Sequence, residues 1–200
     1  MMMSFRKQKL DKKKEEMIQA AIEVFAEKGY SGATMEDIAA KLFMTKGSVY
    51  YYFKDKQDLL FQMQQMLLSK CNQYMQEILQ QELPADEKLR CAITTHIEYI
   101  LQTRASFELM VKPEIYFTND QQTTLLQLMD EYSAFYDKLI QEGIQQNYFY
   151  PLNIKIARNL ILGAMNQVLQ WYSPNGTKSI KEMAETISEY LMRMFYQPIQ

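Results

Sequence analysis

Two helix-start signals placed close together constrain this chain more than any other feature. In Thr34-Met35-Glu36-Asp37 the threonine hydroxyl can accept the orphan N–H groups of a first helical turn, and the two acids suit its positive end. A second cap of the same kind, Thr45, stands eleven residues further on. A helix over Met35–Lys41 and another from Lys46 leave Leu42-Phe43-Met44 as a tight connection. Two short helices joined in this way form a helix-turn-helix. With the second helix running to Tyr52, Val49 and Phe53 fall on its inner side, and Lys46, Gly47, Tyr50, Tyr51 and Lys54 on its outer side. That outer face is basic, aromatic and rich in hydrogen-bond donors.

The rest of the chain reads as helix throughout. Six glycines and five prolines in 200 residues leave few breaks, and Gln, Glu, Lys, Leu and Met favour helix. A first helix over Lys12–Lys28 carries Met17, Ala20, Ala21, Val24 and Phe25 at helical spacing, with Gly29 placed as its C-terminal cap. After Asp55 and Asp58 a long helix keeps a three-four apolar spacing from Leu59 to Leu79, and Pro84 marks its end. The next, Asp86–Arg104, bears the stripe Leu89, Ala92, Ile93, His96, Ile97, Ile100 and Leu101. Pro113 interrupts a shorter helical segment, and a further helix spans Gln121–Gln146. Residues 154–172 are apolar on more than one face, so both faces must be buried. After the turn Ser173-Pro174-Asn175-Gly176, a last helix carries Ile180, Met183, Ala184, Ile187, Leu191 and Phe195 on one stripe. The expected fold is all-α with about nine helices. A three-helix DNA-binding domain over 1–56 joins a larger helical domain over 57–200, whose last two helices pair with those of a second copy.

Composition narrows the function classes. No apolar run approaches the roughly 18 residues of a membrane span, and MMMSFRKQKLDKKKEE lacks the apolar core of a signal peptide, so the expectation is a soluble, cytoplasmic protein. Cys71 and Cys91 are too few for a disulfide framework and read as packed thiols. The net charge of −2 hides an asymmetry: residues 1–56 hold 11 Lys/Arg against 8 Asp/Glu, a balance of +3, and the remainder hold 11 against 16, a balance of −5. Local charge governs attraction to phosphate, so an acidic chain with a basic end can bind nucleic acid. Catalysis needs a constellation, and none is present: one histidine, no nucleophile elbow, no phosphate-binding glycine loop and no zinc-type helix motif. No catalytic residue, metal or cofactor is expected.

The stretch ATMEDIAAKLFMTKGSVYYYFKDKQDLL, Ala33 to Leu60, closely resembles the DNA-binding signature of the tetracycline-repressor (TetR) family of bacterial transcription regulators. The resemblance rests on Thr34, Ile38, Ala39, Thr45, Gly47, Val49, Tyr50, Tyr52, Phe53, Lys54, Lys56 and Leu59, and AAIEVFAEKGY upstream fits the same family. Two departures stand out. Leu42-Phe43-Met44 replaces the family's common Ala-Gly-Val turn, and Tyr51 stands where histidine is frequent.

The resemblance implies a ligand-responsive repressor. The second helix of the pair would lie in the major groove, the long helix after it would link the reader to a sensor, and a homodimer would present two copies to palindromic double-stranded operator DNA. Readers on successive major grooves stand about 34 to 36 Å apart per helical turn. Lys46, Ser48 and Tyr51 are the expected base-edge contacts, and Thr34, Thr45, Tyr50, Lys54 and Lys56 the expected phosphate contacts. Arg6, Lys7 and Lys9 either reach phosphates or a minor groove, or form a frayed solvated tail. The segment Ala157 to Ile187 is similar to the corresponding part of TetR-type regulators of lipid degradation that sense acyl-CoA thioesters, which implies a small hydrophobic or acyl-CoA-like effector. His96, Arg104, Arg158, Asn166, Gln167 and Trp171 are the candidate ligand contacts, with guanidinium groups suited to phosphate or carboxylate. The alternative is a helical protein-interaction module that has lost operator binding.

Overall fold

The computed structural model describes residues 5–110 and 113–196, with the side chains of Phe5, Arg6, Lys7 and Pro113 outside the description. The expected nucleic-acid contacts of Arg6 and Lys7 therefore lie outside the described residues. Among the described residues the chain forms ten α-helices and no strand. They are α1 (Phe5–Gly32), α2 (Met35–Lys41), α3 (Lys46–Tyr50), α4 (Lys56–Leu79), α5 (Ala85–Gln102), α6 (Arg104–Glu108), α7 (Pro113–Tyr116), α8 (Asn119–Gln145), α9 (Ile154–Trp171) and α10 (Ile180–Met192), followed by a 3-10 turn at Arg193–Phe195. The segment around Pro113 gives two short helices, which takes the number past the expected nine.

The chain divides into two compact units, Met1–Met66 with Ala105–Thr123, and Leu67–Arg104 with Thr124–Gln200. The division differs from a single cut after residue 56, because the opening turns of α4 and the α6–α7 segment join the N-terminal helices. Gln57 donates to the Tyr116 carbonyl at 2.5 Å, Gln64 to that of Leu109 at 3.3 Å, and Tyr116 meets Tyr30 edge to face. These contacts span dozens of residues, so a linear reading does not reveal them.

In the first unit, Met17, Ala21, Val24 and Phe25 of α1 pack with Ile38 of α2, Val49 of α3, and Phe53, Leu59 and Met63, all buried. The expected cap at Gly29 is a break in α1 with φ 70°, a conformation that favours glycine. α3 is shorter than expected, yet Tyr51, Tyr52 and Phe53 still donate backbone hydrogen bonds back to Gly47 and Val49, so the inner and outer faces persist past its end.

In the second unit α5 packs against α9 and α10. Its buried residues include the whole expected stripe, His96 among them. α9 buries Ala157, Ile161, Met165 and Val168, while Ile156, Leu160 and Trp171 on its other side are more than half exposed. Ser179 caps α10 reciprocally with Glu182. Gly143 of α8 lies against Phe149 so closely that a Cβ would overlap the ring. Cys71 is buried, and burial pushes its thiol up to about 12, in keeping with a packing role.

Lys56 departs from its expected role. Its ammonium donates to the carbonyls of Tyr30 (2.6 Å), Ala33 (2.8 Å) and Ser31 (3.4 Å), and lies 4.6 Å from the centre of the Tyr30 ring. These bonds tie the ammonium to the carbonyls where α1 ends, so the residue fixes the α1–α2 junction, and a phosphate would have to compete with them. Lys56→Met is expected to cost about 1–3 kcal/mol, since it strands carbonyls that accept from a charged donor. Thermal unfolding followed by circular dichroism would register this as a lowered midpoint; an unchanged midpoint would return Lys56 to the outer surface.

Candidate functional site

The helix pair is held by two side-chain caps. Thr34 accepts from the Asp37 N–H at 3.1 Å, and Asp37 in turn accepts from the Thr34 N–H at 3.0 Å and from its hydroxyl at 2.8 Å. The Lys28 ammonium, together with these Thr34 bonds, holds the Asp37 carboxyl down to about 2. The Thr34 hydroxyl proton is thereby engaged with a carboxylate, so it serves the cap and would have to break that bond to reach a phosphate. Thr45 accepts from the Ser48 N–H at 3.2 Å, and the two hydroxyls pair at 2.8 Å. That pair has two protons and uses one, which leaves one for an outside acceptor.

Beyond these caps α3 turns a polar face to solvent. Lys46, Gly47, Tyr50, Tyr51 and Lys54 are exposed, and Tyr51 is 76% exposed. Val49 and Phe53 beneath them are fully buried. Lys46 pairs with Glu36 of α2 and lies 5.4 Å from the centre of the Tyr50 ring. Glu36 raises the Lys46 ammonium above its ordinary range, which secures its positive charge. Lys9, Lys12 and Lys13 of α1 line an open groove with Leu10, Glu16, Tyr51 and Tyr52, and Glu16 pairs with Lys13 at 2.8 Å, so the groove sets three cations against one acid. Such a face has donors for phosphate and base edges, and its cations need no metal to attract a polyanion.

A second candidate site lies inside the C-terminal unit. His96 Nδ1 lies 2.7 Å from the Tyr132 hydroxyl and Nε2 lies 3.1 Å from Asn166 Oδ1. An amide oxygen only accepts, so with Asn166 oriented this way Nε2 carries the proton and Nδ1 accepts from Tyr132. The single Tyr136 hydroxyl proton is then directed at the Ala92 carbonyl at 3.3 Å or at the Tyr132 oxygen at 3.1 Å. Burial drives His96 down to about 4, against an opposing bond from Asn166, and drives the Tyr132 and Tyr136 hydroxyls upward. The cluster is therefore neutral near pH 7. Beside it, Cys71, Tyr74, Thr95, Tyr99 and Tyr132 line a void of about 10 Å³, roughly what one water molecule needs.

The structure brings together only some of the expected ligand contacts. His96 and Asn166 join through their hydrogen bond. Arg158 is occupied by Asp137 at 2.7 Å, and Arg104 donates to the Tyr172 carbonyl at 3.1 Å. Gln167 and Trp171 are exposed on α9, beside Ile156 and Leu160, and do not line the void. Tyr132 and Tyr136 are the polar groups that the sequence reading missed. Their four-residue spacing on α8 was the available signal, because it places both hydroxyls on one helical face.

Comparison with known proteins places both regions. A family model described as "Bacterial regulatory proteins, tetR family" matches residues 17–63, and one described as "Tetracyclin repressor-like, C-terminal domain" matches residues 82–195. The "Fatty acid metabolism regulator protein" of Bacillus subtilis (strain 168) is 26% identical over 180 residues, covering 88% of this chain and 92% of the relative. The "HTH-type transcriptional repressor KstR2" of Rhodococcus jostii (strain RHA1) is 22% identical over 172 residues, covering 85% and 84%. The solved structure of AibR in complex with isovaleryl coenzyme A and operator DNA has a TM-score of 0.75 at 21% identity, covering 93% of this chain and 99% of that one, a likeness of fold.

The buried histidine makes stability depend on pH. Its folded value of about 4 lies below the ordinary value of 6.5, so the unfolded chain takes up the proton more readily. Its contribution is complete above about pH 6.5 and is lost as pH falls toward 4, the loss amounting to about 2 kcal/mol by pH 5. Urea unfolding at pH 7 and pH 5 should show this drop in the wild type, and a smaller one in His96→Gln. Equal drops in the two proteins would contradict a buried neutral imidazole.

Proposed function

This chain belongs to the tetR family of bacterial regulatory proteins, and from that premise we propose that it represses transcription as a homodimer on a palindromic operator and is released by an acyl-CoA-like effector. The observation that carries the reading is the exposed surface of α3 and the residues just after it, where Lys46, Tyr50, Tyr51 and Lys54 are exposed and Val49 and Phe53 are fully buried. A rigid helix with donors outward and a sealed apolar underside suits insertion into a major groove. Lys46, Ser48 and Tyr51 read base edges, and Thr45, Tyr50 and Lys54 hold phosphates. The groove lined by Lys9, Lys12 and Lys13 extends the phosphate track.

The dimer uses α9 and α10. Ile156, Leu160 and Trp171 of α9 and Tyr190 of α10 leave more than half of each residue exposed, an apolar surface that a second copy would cover. This surface accounts for the expectation that both faces of α9 become buried.

The effector acts at the His96 cluster. The neutral imidazole and phenol groups of this unit, with the Asn166 amide at their exposed edge, can hydrogen-bond a thioester carbonyl without a charge penalty. The void of about 10 Å³ is far smaller than the roughly 300 Å³ or more that organic ligands occupy, so binding requires a more open state of this unit. Only an effector that prefers the open state can shift the equilibrium. α4 contributes residues to both units in one continuous helix, and an open state that moves it would change the separation of the two readers.

Selection of bound sequences from a random duplex library with purified full-length protein tests this reading. The expected result is a palindrome with half-sites one helical turn or a longer fitting distance apart, released when a long-chain acyl-CoA is added. No enrichment by a folded dimer would favour the protein-interaction alternative. Enrichment without release would retain the operator and remove the effector class.

A further inference from the structure

Phe43 is the residue that the folding of this chain does not explain. It lies in the connection between α2 and α3 with φ 53°, in the left-handed region that residues bearing a Cβ avoid. Its side chain is 99% exposed, so the ring obtains no burial in return. Glycine would take the same backbone conformation without strain and without presenting a benzyl group to water.

The turn is also held firmly. Leu42 and Met44 both donate to the Ala39 carbonyl, at 3.2 and 2.9 Å, and Phe43 donates to that of Ala40 at 3.1 Å. These bonds fix the backbone that projects the ring outward. Phe43 stands two residues before Thr45, the cap of α3, so the two Cα atoms are at most about 7 Å apart. The ring is thus stationed at the N-terminal end of the helix proposed to enter the groove, the end whose residues meet base edges.

Chemistry limits what such a ring can recognise. A benzyl group neither donates nor accepts hydrogen bonds, so phosphates and the polar base edges offer it nothing. The one apolar feature of the major groove is the C5-methyl of thymine. We propose that Phe43 reads a thymine methyl in each half-site of the operator. This rests on the operator-binding reading above, and adds an apolar determinant to the polar contacts of α3.

The methyl can be removed without touching any hydrogen bond by replacing thymine with deoxyuridine. Full-length wild type, Phe43→Gly and Phe43→Asn would be titrated against the selected operator and against duplexes in which each symmetric thymine pair is so replaced. Asparagine tolerates the left-handed turn without supplying a ring, which controls for a loosened glycine backbone. Losing one methyl contact is worth roughly fourfold in affinity, hence roughly tenfold or more over two half-sites.

The expected result is one thymine pair whose replacement weakens the wild type by that factor and leaves both variants unchanged. Both variants should bind the unmodified operator more weakly than the wild type, with thermal midpoints no lower than its own. The proposal is overturned if no thymine pair behaves in this way, including the case where the variants bind more weakly without any methyl dependence, which would indicate a sugar contact. If the wild type selects no duplex at all, the operator-binding reading fails first and this inference falls with it.

Discussion

The burial of Val49 and Phe53 underpins everything assigned to the N-terminal unit. α3 is five residues long, far below the length at which an isolated helix holds in water. Its shape comes from its neighbours: Thr45 caps its start, these two side chains are fully out of solvent, and the helix packs against α2. Because the inner face is sealed, the outer face has one orientation, and Lys46, Tyr50, Tyr51 and Lys54 are presented together. A surface built this way is ordered in the free chain, so a ligand that met it would cost less conformational entropy.

The same economy of short helices explains the polar ties around the reader. Lys28 holds Asp37, Lys41 meets Glu23 and Glu27, and Lys46 meets Glu36. All are exposed pairs, each worth little in stability. Lys56 differs, because its ammonium is half-buried against three carbonyls. The positive charge of this end is therefore divided between residues that build the unit and residues that face outward.

Much of the fold was legible because local chemistry decides it. Thr34 and Thr45 cap where the sequence places them, Gly29 breaks α1 and the stripe of α5 is buried as read, whereas α4 ends at Leu79 and Pro84, expected to mark that end, stands at the start of α5. What escaped is tertiary. Lys56 reaches carbonyls 23 to 26 residues away, and His96 meets Asn166 across 70 residues. No spacing rule joins such positions. For the same reason the ligand candidates were only partly placed: an arginine suited to phosphate reads alike whether it faces a cavity or, as Arg158 does, an aspartate on the preceding helix.

If the surface around α3 neutralises phosphates, the salt dependence of duplex binding reports it directly. Each phosphate neutralised by a cation contributes about −0.9 to the slope of log K against log salt concentration. Fluorescence anisotropy of the wild type and Lys54→Ala on one duplex, over a range of salt concentrations, should give a steep negative slope, shallower by about 1 in the variant. A flat dependence in the wild type, or identical slopes in the two proteins, would contradict the assignment.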